Sequence, residues 1–263
     1  MLAATPPVPP AELHNIYEGK LDSWQLHESI DNFLERLPPA TTSVALCPWI
    51  WVANPHRGGQ GKSSRILVDE FTERGVELLQ QSQQKRGDIQ AQNSNKPKGV
   101  VAKMLSRESE LLKQQITDIA KEKNVIAGKW MLFPRIEDLT RVWRLIAEGT
   151  VENRLGSTAK VATDQGGSDS RLICVYTKDF SDTEDVRRVL QELDAMGLVG
   201  SGQGIYYKSD AYTYLDIYGK NAAEYGLQAS IYSSQKMLAS VNSSQSKSTP
   251  QRKQSTLDAF CRV

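Results

Sequence analysis

From residue 128 to about residue 232 the chain alternates between short apolar segments and amphipathic stripes. This alternation leaves few architectures open to it. Residues 128–133, 159–162 and 172–177 are too short for helices and rich in residues that suit a pleated sheet. Residues 136–147 place Ile136, Leu139, Trp143 and Ile146 on one helical face. After Ser181 and Glu184, which form a capping-box pattern, Val186, Val189, Leu190, Leu193 and Met196 make a second stripe, and Gly197 is a natural stop. Residues 204–208 and 212–218 read as further strands, and 229–232 as a last extended piece.

The first half is less regular. Leu26, Ile30, Phe33, Leu34 and Leu37 predict a helix over 23–37, ended by Pro38 and Pro39. Residues 43–53 predict a buried strand, and Leu67, Phe71 and Leu78 a helix over 63–84. Residues 85–99 (KRGDIQAQNSNKPKG) are polar and rich in breakers, which predicts a surface loop. A third helix is expected after Ser106, with Leu112, Ile116 and Ile119 inward. Strands interspersed with amphipathic helices predict an α+β domain, one sheet with helices packed on one face. The pattern alone leaves parallel or antiparallel order open. The domain is expected over 12–238, between a Pro/Ala-rich disordered start (1–11) and a Ser/Gln/Lys-rich disordered tail (239–263).

Composition narrows the chemistry. A formal net charge of +1 over 263 residues gives no global field toward nucleic acid or membrane, so an anion site must be local. Cys47, Cys174 and Cys261 are odd in number and lack a CxxC, against a disulfide framework or a zinc site. No cofactor is expected. The first residues lack the basic start and apolar core of a secretory leader, and no apolar run is long enough to span a membrane, so cytosol or nucleus is expected. GGQGKSS (58–64) imitates a phosphate-binding Walker loop, but His56 stands where the motif needs glycine; a backbone anion nest is the most it offers. His14, His27 and His56 sit in no recognisable nucleophile motif, which points away from a hydrolase triad.

The ordered series GKWMLF (128–133), VWRLIAEG (142–149), AKVAT (159–163), ICVYTKDFSD (173–182) and YYKSDAYTYLDIYG (206–219), with NFLERLPP (32–39) and WIWVANP (49–55) upstream, resembles the basophilic-leukaemia-expressed protein family over roughly 22–235. Ser209 departs from it, standing where proline is expected. The resemblance implies a fold like that of translation initiation factor 4E, a single curved and mainly antiparallel sheet with helices on its convex face. It implies no activity.

That fold raises the question of cap recognition, which needs two tryptophans stacked on a cationic base. Trp130 lies within a predicted strand and Trp143 on an apolar helical stripe, and both read as core. Trp49 and Trp51 share one face of a strand and read as core or sheet surface. The usual tryptophan clamp is therefore not expected. Lys160, Lys178 and Lys208 fall at or beside strand ends, near Tyr212 and Tyr214. Lysines interleaved with aromatics can cradle phosphates and stack bases, so nucleotide, RNA or a cap-like ligand is one expected partner. Lysine also blunts solvated sheet edges. Lys208 is the leading candidate by resemblance, which places it in the strand that supplies phosphate contacts in the cap-binding factor.

The tail offers a different partner. QSTLDAFC (254–261) is similar to the box by which proteins bind the DNA sliding clamp (PCNA): Gln254, Leu257 and Phe260 take three positions, and Cys261 replaces the second aromatic. One tight helical turn would set Leu257 and Phe260 side by side as a plug. The sequence as a whole is read as a non-catalytic binding or adaptor protein. Its tail is expected to engage the clamp, or its sheet face a nucleotide-like ligand.

Overall fold

The computed structural model describes residues 13–57, 65–200 and 204–245. Six strands form one antiparallel sheet: β1 (Trp49–Ala53), β2 (Gly128–Leu132), β3 (Thr158–Ala162), β4 (Ile173–Thr177), β5 (Tyr206–Ser209) and β6 (Tyr232–Ser233). Their spatial order is β1-β3-β4-β2-β5-β6. Two helices make the crossovers that this order requires. α4 (Ile136–Val151) carries the chain from β2 past β4 to β3, and α5 (Thr183–Ala195) carries it from β4 past β2 to β5. The central four strands thus repeat a split β-α-β unit twice, with β1 and β6 added at the edges.

One face of the sheet is the core. Ile50, Val52, Trp130, Leu132, Val161, Ile173, Val175 and Tyr207 are buried there. α4 meets them with Leu139, Val142, Trp143 and Ile146, and α5 with Val186, Val189, Leu190 and Leu193. α1 (Ile30–Arg36) adds Phe33 and Leu34 to the same core and packs on α4. Trp130 donates its indole N–H to the Val186 carbonyl, 3.0 Å away, so the largest side chain of β2 leaves no polar atom unsatisfied. At Gly128 any side chain would run into the Tyr207 ring, whose hydroxyl pairs with Thr177 at 2.6 Å.

Helices on one face hold for α1, α4 and α5. The other two long helices depart from that expectation and from the expected boundaries. α2 (Val68–Gln92) and α3 (Lys98–Glu122) form an antiparallel hairpin that leans on α6 (Asp210–Tyr214), and α2 also touches the 3-10 turn Ala222–Tyr225. The segment 85–99 is not a loop: helix runs through Lys85–Gln92 and resumes at Lys98. Gly87 costs a helix only about 1 kcal/mol relative to alanine, and its Gln, Lys and Ala neighbours favour helix. The true breakers are Asn93 to Pro97; Asn93 ends α2 and donates its side-chain N–H to Ile89 O at 2.8 Å.

Other boundaries shift for equally local reasons. The predicted strand 212–218 is instead α6: Ser209 caps it by accepting from the Tyr212 N–H, and Asp216, at φ 52°, turns the chain out. Ser209, where the resemblance leads to an expected proline, is therefore a helix cap. α5 is capped by Asp182, which accepts from the Asp185 N–H, and not by Ser181. β1 is shorter than 43–53, and residues 22–24 lie beside it as an extra extended piece, with Ser23 bridged to Trp51 in place of an early first helix. The last helix, α7 (Ser234–Gln245), continues beyond 238, where the composition predicts a disordered tail. Among the described residues no helix is long and apolar enough to cross a membrane.

Candidate functional site

The second face of the sheet is chemically unlike the first. Cross-strand partners in an antiparallel sheet share a face. The register sets Trp51 opposite Lys160, Lys160 opposite Cys174, Tyr176 opposite Lys129, and Lys129 opposite Lys208. Trp49, two residues from Trp51, joins this face, as do Met131 and Tyr206. Three lysines, each from a different strand, therefore lie among aromatic and sulfur-bearing side chains.

The lysines differ in their partners. Lys129 is buried and paired: its ammonium donates to Asp210 Oδ1 at 2.5 Å and Thr213 Oγ1 at 2.8 Å, both on α6. Lys160 lies on indoles, with Nζ 3.9 Å from the ring centre of Trp49, 4.8 Å from Trp51 and 5.8 Å from Tyr176. Lys208 has its Nζ 3.5 Å from the centre of the Tyr218 ring. Neither Lys160 nor Lys208 forms an ion pair among the described residues. Burial and then Lys129 push the Lys208 ammonium down to about 8. Burial is also the main cause of the downward shift of Lys160, with Lys129 adding to it. Ring quadrupoles hold the two cations in place but do not neutralise them.

Tyr17 packs on Trp51 with ring centres 5.3 Å apart, closing the β1 side of the face. Trp51 and Tyr176 stack at 6.4 Å. Toward the far side Tyr206, Tyr214 and Tyr218 are substantially exposed. Burial pushes the Cys174 thiol up to about 11, so it is a packed neutral group and no nucleophile at neutral pH.

Of the residues singled out in the sequence, Lys160 and Lys208 share this face, with β4 and β2 between their strands, and Tyr214 lies near it. Lys178 is exposed beyond the end of β4. Tyr212 is buried, with Glu110 of α3 nearby, and is not part of the face. Gln254, Leu257, Phe260 and the 58–64 loop lie outside the described residues. Trp130 and Trp143 are fully buried, as expected. The acids near 179–185 are accounted for structurally: Asp182 caps α5, Asp179 accepts from Ser181, and Asp185 pairs with Arg188. Sequence reasoning misses Lys129, Tyr176 and Tyr218 as members of the face, and leaves Trp49 and Trp51 between core and sheet surface. The signal for most of them is present in the i, i+2 alternation: Trp49, Trp51, Lys129 and Tyr176 each sit next to residues that face the core.

A family model, that of the basophilic leukemia-expressed protein Bles03, matches residues 3–216. The chain belongs to the Bles03 family. The match takes in β1 through α6 and so contains every strand that bears a lysine of the open face. It begins earlier than the resembling motifs and stops before β6 and α7. The edge strand and last helix of this chain thus lie outside the part matched to Bles03.

Proposed function

We propose that this Bles03-family chain is a non-catalytic binding module whose open sheet face takes a planar, anionic ligand of the nucleotide class. One observation carries the reading: Lys160, partly desolvated and lacking a carboxylate partner among the described residues, is held on the Trp49 and Trp51 rings. An unpaired cation in a low-dielectric setting gains more from an anion than a solvated one does. A phosphate would restore to Lys160 the counter-charge that Asp210 already gives Lys129. The exposed rings of Tyr206, Tyr214 and Tyr218 supply stacking surface for a base, which tolerates any sequence because every base has a π-face. The expected likeness to the initiation factor 4E fold, with its ligand on the concave sheet face, supports the same location. Calorimetric titration with a nucleoside triphosphate, inorganic triphosphate and a short single-stranded RNA tests the reading. It requires the nucleotide or RNA to bind more tightly than the base-free triphosphate. Equal affinity for all three would reduce the face to a simple anion patch.

The sequence motif Gln254, Leu257 and Phe260 favours a second role, recruitment to the DNA sliding clamp through the C-terminal residues, which would place the protein in the nucleus. Titration of the full chain into purified clamp, with the Leu257→Ala/Phe260→Ala variant as control, tests it. Binding lost in the variant supports recruitment, and absence of binding by the full chain removes it.

A further inference from the structure

At the opposite edge of the sheet from β1, a groove of about 740 Å³ runs between α5, β6 and α7. Its lining includes Thr183, Arg187, Tyr206, Ser230, Ser233 and Lys236, and no aspartate or glutamate. Arg187 is the unusual member. Its Nε is out of solvent without a hydrogen-bond partner, and among the described residues its guanidinium forms no ion pair. Arg187 is half-buried, so its guanidinium meets solvent in part, while the Nε–H is a desolvated donor that an oxyanion would satisfy. Lys236, in the first turn of α7, adds a second cation without an ion pair among the described residues, and the hydroxyls of Thr183, Ser230 and Ser233 supply further donors.

We propose that this groove is a second anion site, meeting the open sheet face at Tyr206, for an oxyanion of the phosphate class. Arg187 presents a planar fork of N–H donors that matches two oxygens of one phosphate, and Lys236 acts as a point charge across the groove. The volume exceeds that of a bare phosphate and falls in the range of small-ligand sites, roughly 300–1,000 Å³. The chain's own remaining segment is an unsuitable occupant. Residues 246–263 carry Lys247, Arg252, Lys253 and Arg262 against Asp258 alone, so their charge repels the groove. A free phosphate ester and a phosphorylated side chain would present the same chemistry.

Calorimetric titration of the full-length protein with pyrophosphate and with a phosphoserine tetrapeptide tests the site and separates the two sources. Arg187→Met, which keeps the apolar stem, should weaken binding of the preferred probe by about tenfold or more, the value of one charge-assisted contact. Lys236→Met should weaken it less, and the sheet-face variant Lys160→Met should remove only the binding that belongs to the sheet face and leave the Arg187-dependent component in place. Loss on Lys160→Met with no effect of Arg187→Met would assign the anion to the sheet face and overturn the proposal. Should Arg187→Met fail to fold, Arg187→Lys retains the charge and loses the fork, and the same weakening is expected. Failure of both probes to bind the wild-type protein would overturn the proposal as well. Tighter binding of the peptide than of pyrophosphate would identify a phosphorylated chain as the natural source, and the reverse a free phosphate ester.

Discussion

The Lys160 ammonium stands 3.9 Å from the centre of the Trp49 ring and belongs to no ion pair among the described residues. A cation on an indole contributes about 0.5–2 kcal/mol, and burial of its charge subtracts from that. Lys160→Met keeps the stem on the rings while removing the charge. Its effect on stability should therefore stay within about 1 kcal/mol, a shift of some 2–4 °C in Tm. A calorimetric scan showing a loss several times larger would make Lys160 a structural residue and not a reserved charge.

Lys129 should behave in the opposite way. Its ion pair with Asp210 is largely desolvated, with side-chain exposures of 8% and 19%. Asp210→Asn leaves the lysine buried without its counter-charge and should cost about 3 kcal/mol, and Lys129→Met, which strands the more exposed Asp210 carboxylate, should cost less. In urea unfolding, the double variant should recover most of the loss of Asp210→Asn. A double variant no better than Asp210→Asn alone would mean that the aspartate acts mainly as the first residue of α6.

Lys208 sets a pH dependence. Its proton leaves at about 8 in the folded protein and at about 10.4 in the unfolded chain. Between these values the unfolded state binds more protons, so this group makes stability rise with pH from about 8 toward 10. Below 8 both states are protonated and the penalty is constant. Tyr17, pushed up to about 12 mainly by burial, works the other way above about 10, where unfolded tyrosines ionise first. Tm measured from pH 7 to 10 should therefore rise more in the wild type than in Lys208→Met. Identical slopes would show that Lys208 is solvated. Affinity for an anionic ligand should fall over the same interval as the charge is lost.

The helical hairpin offers a test at a site remote from the sheet. Gly87 lies inside α2 with open space where a side chain would go. Gly87→Ala should stabilise the protein by up to about 1 kcal/mol. A neutral or negative result in urea titration would return 85–92 to irregular structure.

Periodicity alone makes the core readable. Spacing places Trp143, Ile146, Val189 and Leu193 inward, because each helix has one apolar stripe, and all four are buried. The hairpin is not readable in this way. The Gln-rich stretch from Gln80 to Gln92 has little apolar signal, and its helix is held by pairing along α3. α6 reads falsely as a strand because Tyr212 and Tyr214 alternate as strand residues do, while the deciding group is the small cap at Ser209. The site is half legible. Lys160 and Lys208 stand out as charges in apolar strands, but their joining across β4 and β2 is a matter of register, which no local pattern encodes. Trp49 and Trp51 are evident in the sequence as a pair; only the position of β1 beside β3 shows that Lys160 lies on them.

The most direct test of the central claim is calorimetric titration of a nucleoside triphosphate at pH 7 into wild-type protein, Lys160→Met and Trp49→Ala. Measurable binding by the wild type is expected, weakened by about tenfold or more in each variant, with Tm nearly unchanged in Lys160→Met. Binding of equal strength in all three, or none in the wild type, would contradict that claim.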